Sequence, residues 1–97
     1  MPIQHTVVFR LVHPEGSAEE REFLATGHAV LAAIPGVGDF AIRRQISVKS
    51  ALRHQFSMVF ADQAAYDAYD AHPAHRAFVA ERWLPEVTDF QEFDFVG

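Results

Sequence analysis

The sequence predicts a single α+β domain whose elements run strand, helix, strand, strand, helix, strand. Three observations carry that expectation. The chain has 97 residues, of which 49% are hydrophobic and 22% charged, the composition of one small folded domain. Four segments alternate apolar and polar residues with a period of two. Two stretches between them repeat apolar residues at helical spacing.

Strand formers dominate Ile3 to Val12, where Ile3, His5, Val7, Phe9 and Leu11 share one face and Gln4, Thr6, Val8, Arg10 and Val12 the other. His13-Pro14-Glu15-Gly16 reads as a turn. Ser17-Ala18-Glu19-Glu20 has the form of a capping box and opens a helix. Phe23, Gly27, Val30, Leu31 and Ile34 form its buried stripe, and Pro35-Gly36 ends it. Gly27 within the stripe either permits close packing or leaves space beside it. Phe40 to Ser47 alternates as a second strand, Val48 to Arg53 is a polar loop, and Gln55 to Ala61 is a third strand with Phe56, Met58 and Phe60 on one face. Asp62 is placed to cap a second helix carrying Tyr66 and Tyr69. Pro73 interrupts this helix and suits the first position of a restarted one, in which His75, Phe78, Val79 and Arg82 share a face until Pro85 stops it. A last strand, Val87 to Val96, alternates Phe90, Glu92, Asp94 and Val96 against Asp89, Gln91, Phe93 and Phe95.

This order is the ferredoxin-like βαββαβ arrangement: a four-stranded antiparallel sheet with both helices on one face. The opposite face then carries Phe93, Phe95, Val8 and Val59 beside Thr6, Gln55 and Ser57. Aromatics on an uncovered face predict a partner, so a homodimer with two sheets facing each other, a dimeric α+β barrel, is expected.

Composition removes several function classes. The chain has no cysteine, which excludes disulfides, thiolate metal centres and cysteine nucleophiles. With 8 basic and 13 acidic residues the net charge is −5, which argues against nucleic acid as a partner. No apolar run approaches the roughly 20 residues of a membrane span. The N-terminal residues lack a basic region followed by an apolar stretch, so no signal peptide and a cytoplasmic location are expected.

Chemistry concentrates in the histidines, of which there are six. His13, His28 and His54 are expected on the surface. His72 precedes Pro73 and suits a cap. His5 occupies an inward position among Ile3, Val7 and Phe9, either as a satisfied core histidine or as a polar group in a pocket. Residues 66–75 hold the densest cluster of proton-transfer groups, and His75 would lie in the first turn of the restarted helix. The positive helix terminus there disfavours an imidazolium and keeps the ring able to accept a proton. Glu92 and Asp94 face inward on the last strand, which is unusual for carboxylates unless they are paired.

The sequence resembles the stress-responsive A/B barrel domain (Dabb) family along nearly the whole chain, residues 1–97. The resemblance is carried by His5-Thr6-Val7-Val8-Phe9-Arg10-Leu11, Ile34-Pro35-Gly36-Val37, His54-Gln55-Phe56-Ser57-Met58-Val59-Phe60, Tyr69-Asp70-Ala71-His72-Pro73-Ala74-His75 and Phe93-Asp94-Phe95. It implies the dimeric fold reached above by spacing. One characterised member, the plant olivetolic acid cyclase, closes a linear polyketide by aldol condensation without a cofactor. By that resemblance His75 is the general base, Tyr69 the catalytic hydroxyl, Asp94 the residue orienting the base, and His5 a pocket histidine. The cyclase's pocket tyrosine falls on Gly27 and an apolar wall position on Glu92, so the substrate-shaping wall differs. The implied pocket for a small-molecule ligand would be walled by His5, Val7, Phe9, Phe23, Gly27, Phe56, Phe78 and Glu92. Plant relatives also hold Mg²⁺ on backbone carbonyls that fall here on Leu31, Ile34 and Val37. The expected function is a cofactor-free His/Tyr acid–base lyase, isomerase or cyclase acting on a small carbonyl or phenolic, polyketide-like compound. The alternatives are a non-catalytic ligand-binding or stress-associated dimer, and a cofactor-free monooxygenase.

Overall fold

The computed structural model describes all residues, 1–97. The order is β1 (Ile3–Leu11), α1 (Ala18–Leu31), β2 (Gly38–Arg44), β3 (His54–Phe60), α2 (Gln63–Ala71), α3 (Pro73–Phe78), a π-helical turn (Val79–Trp83), α4 (Leu84–Glu86) and β4 (Val87–Phe95). The four strands form one antiparallel sheet in the order β2-β3-β1-β4. This is the ferredoxin-like βαββαβ fold. No helix is long and apolar enough to cross a membrane.

β1 is a central strand because its inward residues are apolar almost throughout. Ile3, Val7, Phe9 and Leu11 are all buried, as is His5. β3 contributes Phe56, Met58 and Phe60, each 1% exposed or less. The Ser17 hydroxyl accepts the Glu20 N–H at 3.2 Å and caps α1, while the Glu20 carboxylate accepts the Gly16 N–H at 3.0 Å. Asp62 caps α2 by accepting the Ala65 N–H at 2.9 Å. His72 ends α2 and caps α3, its Nδ1 accepting the Ala74 N–H at 3.0 Å.

Beneath α1 the core is aromatic and full. The Phe9 and Phe56 rings meet edge to face at 4.8 Å, and the Phe23 and Phe56 rings stack at 6.4 Å. Gly27 lies over Phe56: a Cβ there would stand 2.7 Å from the ring's Cζ. Of the two readings of this glycine, close packing is therefore the one observed.

Strand ends shift by one or two residues from the sequence expectation, and four differences are larger or change a residue's surroundings. α1 ends at Leu31, and the chain then turns through Leu31–Val37 before β2. β2 stops at Arg44, leaving Ile46 and Val48 exposed in the following loop. His54 belongs to β3 and is buried, with Nε2 3.2 Å from the Glu20 carboxylate, so it is not a surface histidine. Pro85 does not stop the helix. The Leu84 N–H reaches back five residues to the Val79 carbonyl, and the chain stays helical to Glu86. A widened turn relieves the clash that a proline ring makes with the carbonyl four residues earlier.

An ionic network ties the end of this helix to its neighbours. Arg82 Nε donates to Glu86 at 2.6 Å, its Nη2 donates to Glu22 of α1, and Glu86 bonds His13 Nε2 at 2.7 Å. The Arg82 guanidinium holds the Glu86 carboxyl below its ordinary value of 4.5.

Two predictions follow from this packing. Gly27→Ala puts a methyl group 2.7 Å from the Cζ of the fully buried Phe56 ring. Overpacking of about 1–3 kcal/mol outweighs the about 1 kcal/mol that alanine gains over glycine in a helix. The urea midpoint should fall with an unchanged slope. Glu86 has a depressed folded pKa, so its contribution is complete above 4.5 and is lost as pH falls through the folded value. Glu86→Gln should lower stability by about 1 kcal/mol at neutral pH and flatten the acid limb of a stability–pH curve relative to the parent.

Candidate functional site

The candidate site is a cavity of about 250 Å³ between the inner face of β1 and β4 and the segment from α2 to α4. Ten of its 14 lining residues are hydrophobic, among them Val7, Phe56, Phe78, Trp83 and Leu84. The other four are His5, Asp70, His75 and Glu92, and Tyr69, counted among the ten, adds a hydroxyl. The π-helical turn contributes Val79 and Trp83, so the helical irregularity forms part of the wall.

β1 delivers His5 from the sheet. Antiparallel register sets it opposite Asp94 on β4, and its Nδ1 lies 2.7 Å from Asp94 Oδ1. α2 adds Tyr66, whose hydroxyl lies 2.8 Å from the same Nδ1 and donates to Asp94 Oδ2 at 3.1 Å. A carboxylate only accepts, so His5 carries its proton on Nδ1. His5 Nε2 makes no hydrogen bond within the chain, yet no buried side-chain nitrogen or oxygen is left unpartnered. Nε2 therefore reaches the open cavity with its lone pair free.

His75 comes from the first turn of α3, where Pro73 has restarted the helix. Its Nδ1 lies 3.1 Å from the Asp70 carbonyl oxygen and donates to it, which again leaves Nε2 as the acceptor. Its ring packs against that of Tyr69 at 4.5 Å. Tyr69 is 2% exposed, and its hydroxyl has no partner in the chain, so by the same reasoning it opens onto the cavity. Burial first, then the charges of Asp70 and Glu92, push the Tyr69 phenol above its ordinary 10.0. Burial and the Asp94 carboxylate push Tyr66 the same way. Both are neutral phenols that donate hydrogen bonds and do not act as phenolates.

The structure thus brings together His5, Tyr69, His75, Val7, Phe56, Phe78 and Glu92 around one cavity. Three expected wall residues lie elsewhere. Phe9 and Phe23 are fully buried in the core beneath α1, and Gly27 is closed off by the Phe56 ring. The expected bond between Asp94 and His75 is absent: Asp94 serves His5, its direct cross-strand partner, while a backbone carbonyl serves His75. Neither Asp94 nor Glu92 is buried, because β4 is an edge strand that the helices leave largely open. Sequence reasoning missed Tyr66 as a site residue. Its signal was the spacing of three from Tyr69, which puts both hydroxyls on the sheet side of α2.

The carbonyls of Leu31, Ile34 and Val37 offer a limited set for Mg²⁺. Leu31 O already accepts the Ile34 N–H, and Ile34 O the Val37 N–H, both at 3.2 Å. The protein has no cluster of three or more His, Asp or Glu side chains suited to a metal. Neutral carbonyls, two of them already accepting a hydrogen bond, would hold only a largely hydrated ion. The cavity chemistry does not pass through it.

Comparison with known proteins agrees with the fold. A Dabb family protein of Mesorhizobium loti with a ferredoxin-like fold is 52% identical, with a TM-score of 0.98 over 99% of this chain and 96% of that one. A dimeric ferredoxin-like protein of unknown function from Thermobifida fusca is 24% identical, with a TM-score of 0.77 over 100% and 92% of the two chains. The hydroxynitrile lyase of Passiflora edulis shares the fold at 14% identity, with a TM-score of 0.81 over 99% and 93%. No curated protein matches the sequence. Residues 3–97 match the family model of the stress responsive A/B barrel domain, and the chain belongs to this Dabb family.

Proposed function

We propose that this protein is a cofactor-free acid–base enzyme, a lyase, isomerase or cyclase, acting on a small carbonyl or phenolic compound. The observation that carries the reading is the convergence of free polar atoms on an otherwise apolar cavity: Nε2 of His5, Nε2 of His75 and the hydroxyl of Tyr69. In this reading the His5 Nε2 removes a proton from carbon next to a carbonyl. Asp94, on the far side of the ring, stabilises the resulting imidazolium. The Tyr69 O–H donates a hydrogen bond to the developing enolate oxygen and keeps its proton. His5 then returns the proton to carbon, or to the alkoxide formed if the enolate has attacked a second carbonyl. His75 Nε2 accepts a hydrogen bond from a substrate hydroxyl and fixes its pose. A polyketide cyclase resembling olivetolic acid cyclase is one form of this chemistry, supported by His75 and Tyr69 in contact at the cavity. The hydroxynitrile lyase of Passiflora edulis has the same fold, which is compatible with a lyase.

The test is deuterium uptake at the α-carbon of small aryl ketones and 1,3-diketones in D₂O, followed by NMR. His5→Ala should slow exchange on the order of 10²-fold or more, and Asp94→Asn about tenfold. Asp94→Asn should add nothing to His5→Ala but should add to His75→Ala. The reverse pattern would show Asp94 serving His75. Absence of exchange above the His5→Ala level for every ketone would leave a non-catalytic binding protein as the better account.

We also propose a homodimer formed through the outer sheet face. Phe93 and Phe95 stack there at 6.1 Å and remain 43% and 52% exposed. The Thermobifida fusca protein of the same fold is dimeric. Phe93→Glu with Phe95→Glu should convert a sedimenting dimer of the parent into a folded monomer.

A further inference from the structure

We propose that Glu92 is a charge filter for the cavity, which takes neutral or cationic ligands and turns away carboxylates and phosphates. The proposal rests on the reading of this cavity as the ligand site and adds the class of ligand. None of the eight Lys and Arg residues of the chain lines the cavity. Its charged lining is Glu92 and Asp70, and Asp94 lies behind the His5 ring. The two imidazoles present lone pairs rather than N–H groups, since both Nδ1 atoms are engaged by oxygen acceptors. The Tyr69 hydroxyl and the indole N–H of Trp83, both without a partner in the chain, are the donors that remain.

An anionic ligand would therefore face two carboxylates and two acceptor nitrogens with two neutral donors and no cation in compensation. A neutral ligand with an apolar body and a hydroxyl, amide or amine group finds the opposite: acceptors for its donors, and Phe56, Phe78 and Trp83 for its body. Glu92 makes no hydrogen bond or ion pair within the chain and sits on the exposed edge strand, opposite Val7. Its charge is thus free to act on the ligand rather than on the fold. The field reaches Tyr69, whose phenol Glu92 helps to raise, after burial and Asp70.

Benzoate, benzamide and benzamidinium share one shape and carry negative, zero and positive charge, which makes them a direct test. Titration calorimetry at neutral pH should show benzamide and benzamidinium binding the parent about tenfold or more tightly than benzoate, the discrimination expected of a single solvent-screened charge nearby. Glu92→Gln should bring benzoate to within a few-fold of benzamide and weaken benzamidinium. Near-UV circular dichroism checks that the variant is folded. Equal binding of benzoate and benzamide to the parent would overturn the filter and leave the cavity reading intact. An unchanged preference in Glu92→Gln would overturn the role of this residue. Failure of all three to bind would overturn the filter together with the cavity as a site for ligands of this size. The titration involves no turnover, so a failed exchange assay would leave its outcome standing.

Discussion

The contact between Gly27 and the Phe56 ring decides where this small protein can hold empty space. With no Cβ at position 27, α1 settles onto β3 until the ring fills the gap. Phe9, Phe23 and Phe56 then lie fully buried beneath that helix. A core packed to native density leaves no room for a ligand there. The other half of the layer is built differently. α2 breaks at His72-Pro73, α3 widens into a π-helical turn, and β4 is an edge strand. Each interruption loosens helix-on-sheet packing, and together they leave the cavity on that side.

His5 stands on the cavity side, against Tyr66 and Tyr69. An unpaired imidazole 5% exposed among apolar neighbours would destabilise the sheet. Asp94 and Tyr66 remove that penalty by taking up Nδ1. The same two bonds fix the tautomer and turn Nε2 toward the cavity. One arrangement thus satisfies a demand of the fold and prepares a proton acceptor. The stacking of Tyr66 on Phe60 at 5.0 Å holds the phenol in place from the core side.

Much of the fold was legible because each strand and helix declares its own period. The inward stripe Ile3-His5-Val7-Phe9-Leu11, the caps at Ser17 and Asp62, and the restart at Pro73 are all local signals. What stayed hidden depends on relations between distant residues. Asp94 lies 89 positions from His5, and only strand register shows that it faces this histidine rather than His75. His54 looked like a surface residue until β3 was seen to begin with it, beside Glu20 of α1. Pro85 is a helix breaker by local rule, and a π-helical turn with Leu84 bonded to Val79 absorbs it. The inward parity of Glu92 and Asp94 was readable, but their exposure was not. It follows from the position of β4 at the sheet edge, which parity does not encode.

The two cavity histidines share a tautomer and differ in what stands behind them. A backbone carbonyl supports His75, and a carboxylate supports His5. A carbonyl fixes the orientation of a ring and offers only a dipole to an imidazolium. A carboxylate fixes the orientation and also attracts the charge that appears when Nε2 takes a proton. Asp94 is partly open to water, which screens this attraction without abolishing it. The difference therefore separates two otherwise equivalent groups into a proton acceptor and a positioning acceptor. It does so without a metal ligand set or a cysteine, using a cross-strand pair that the register of β1 and β4 supplies.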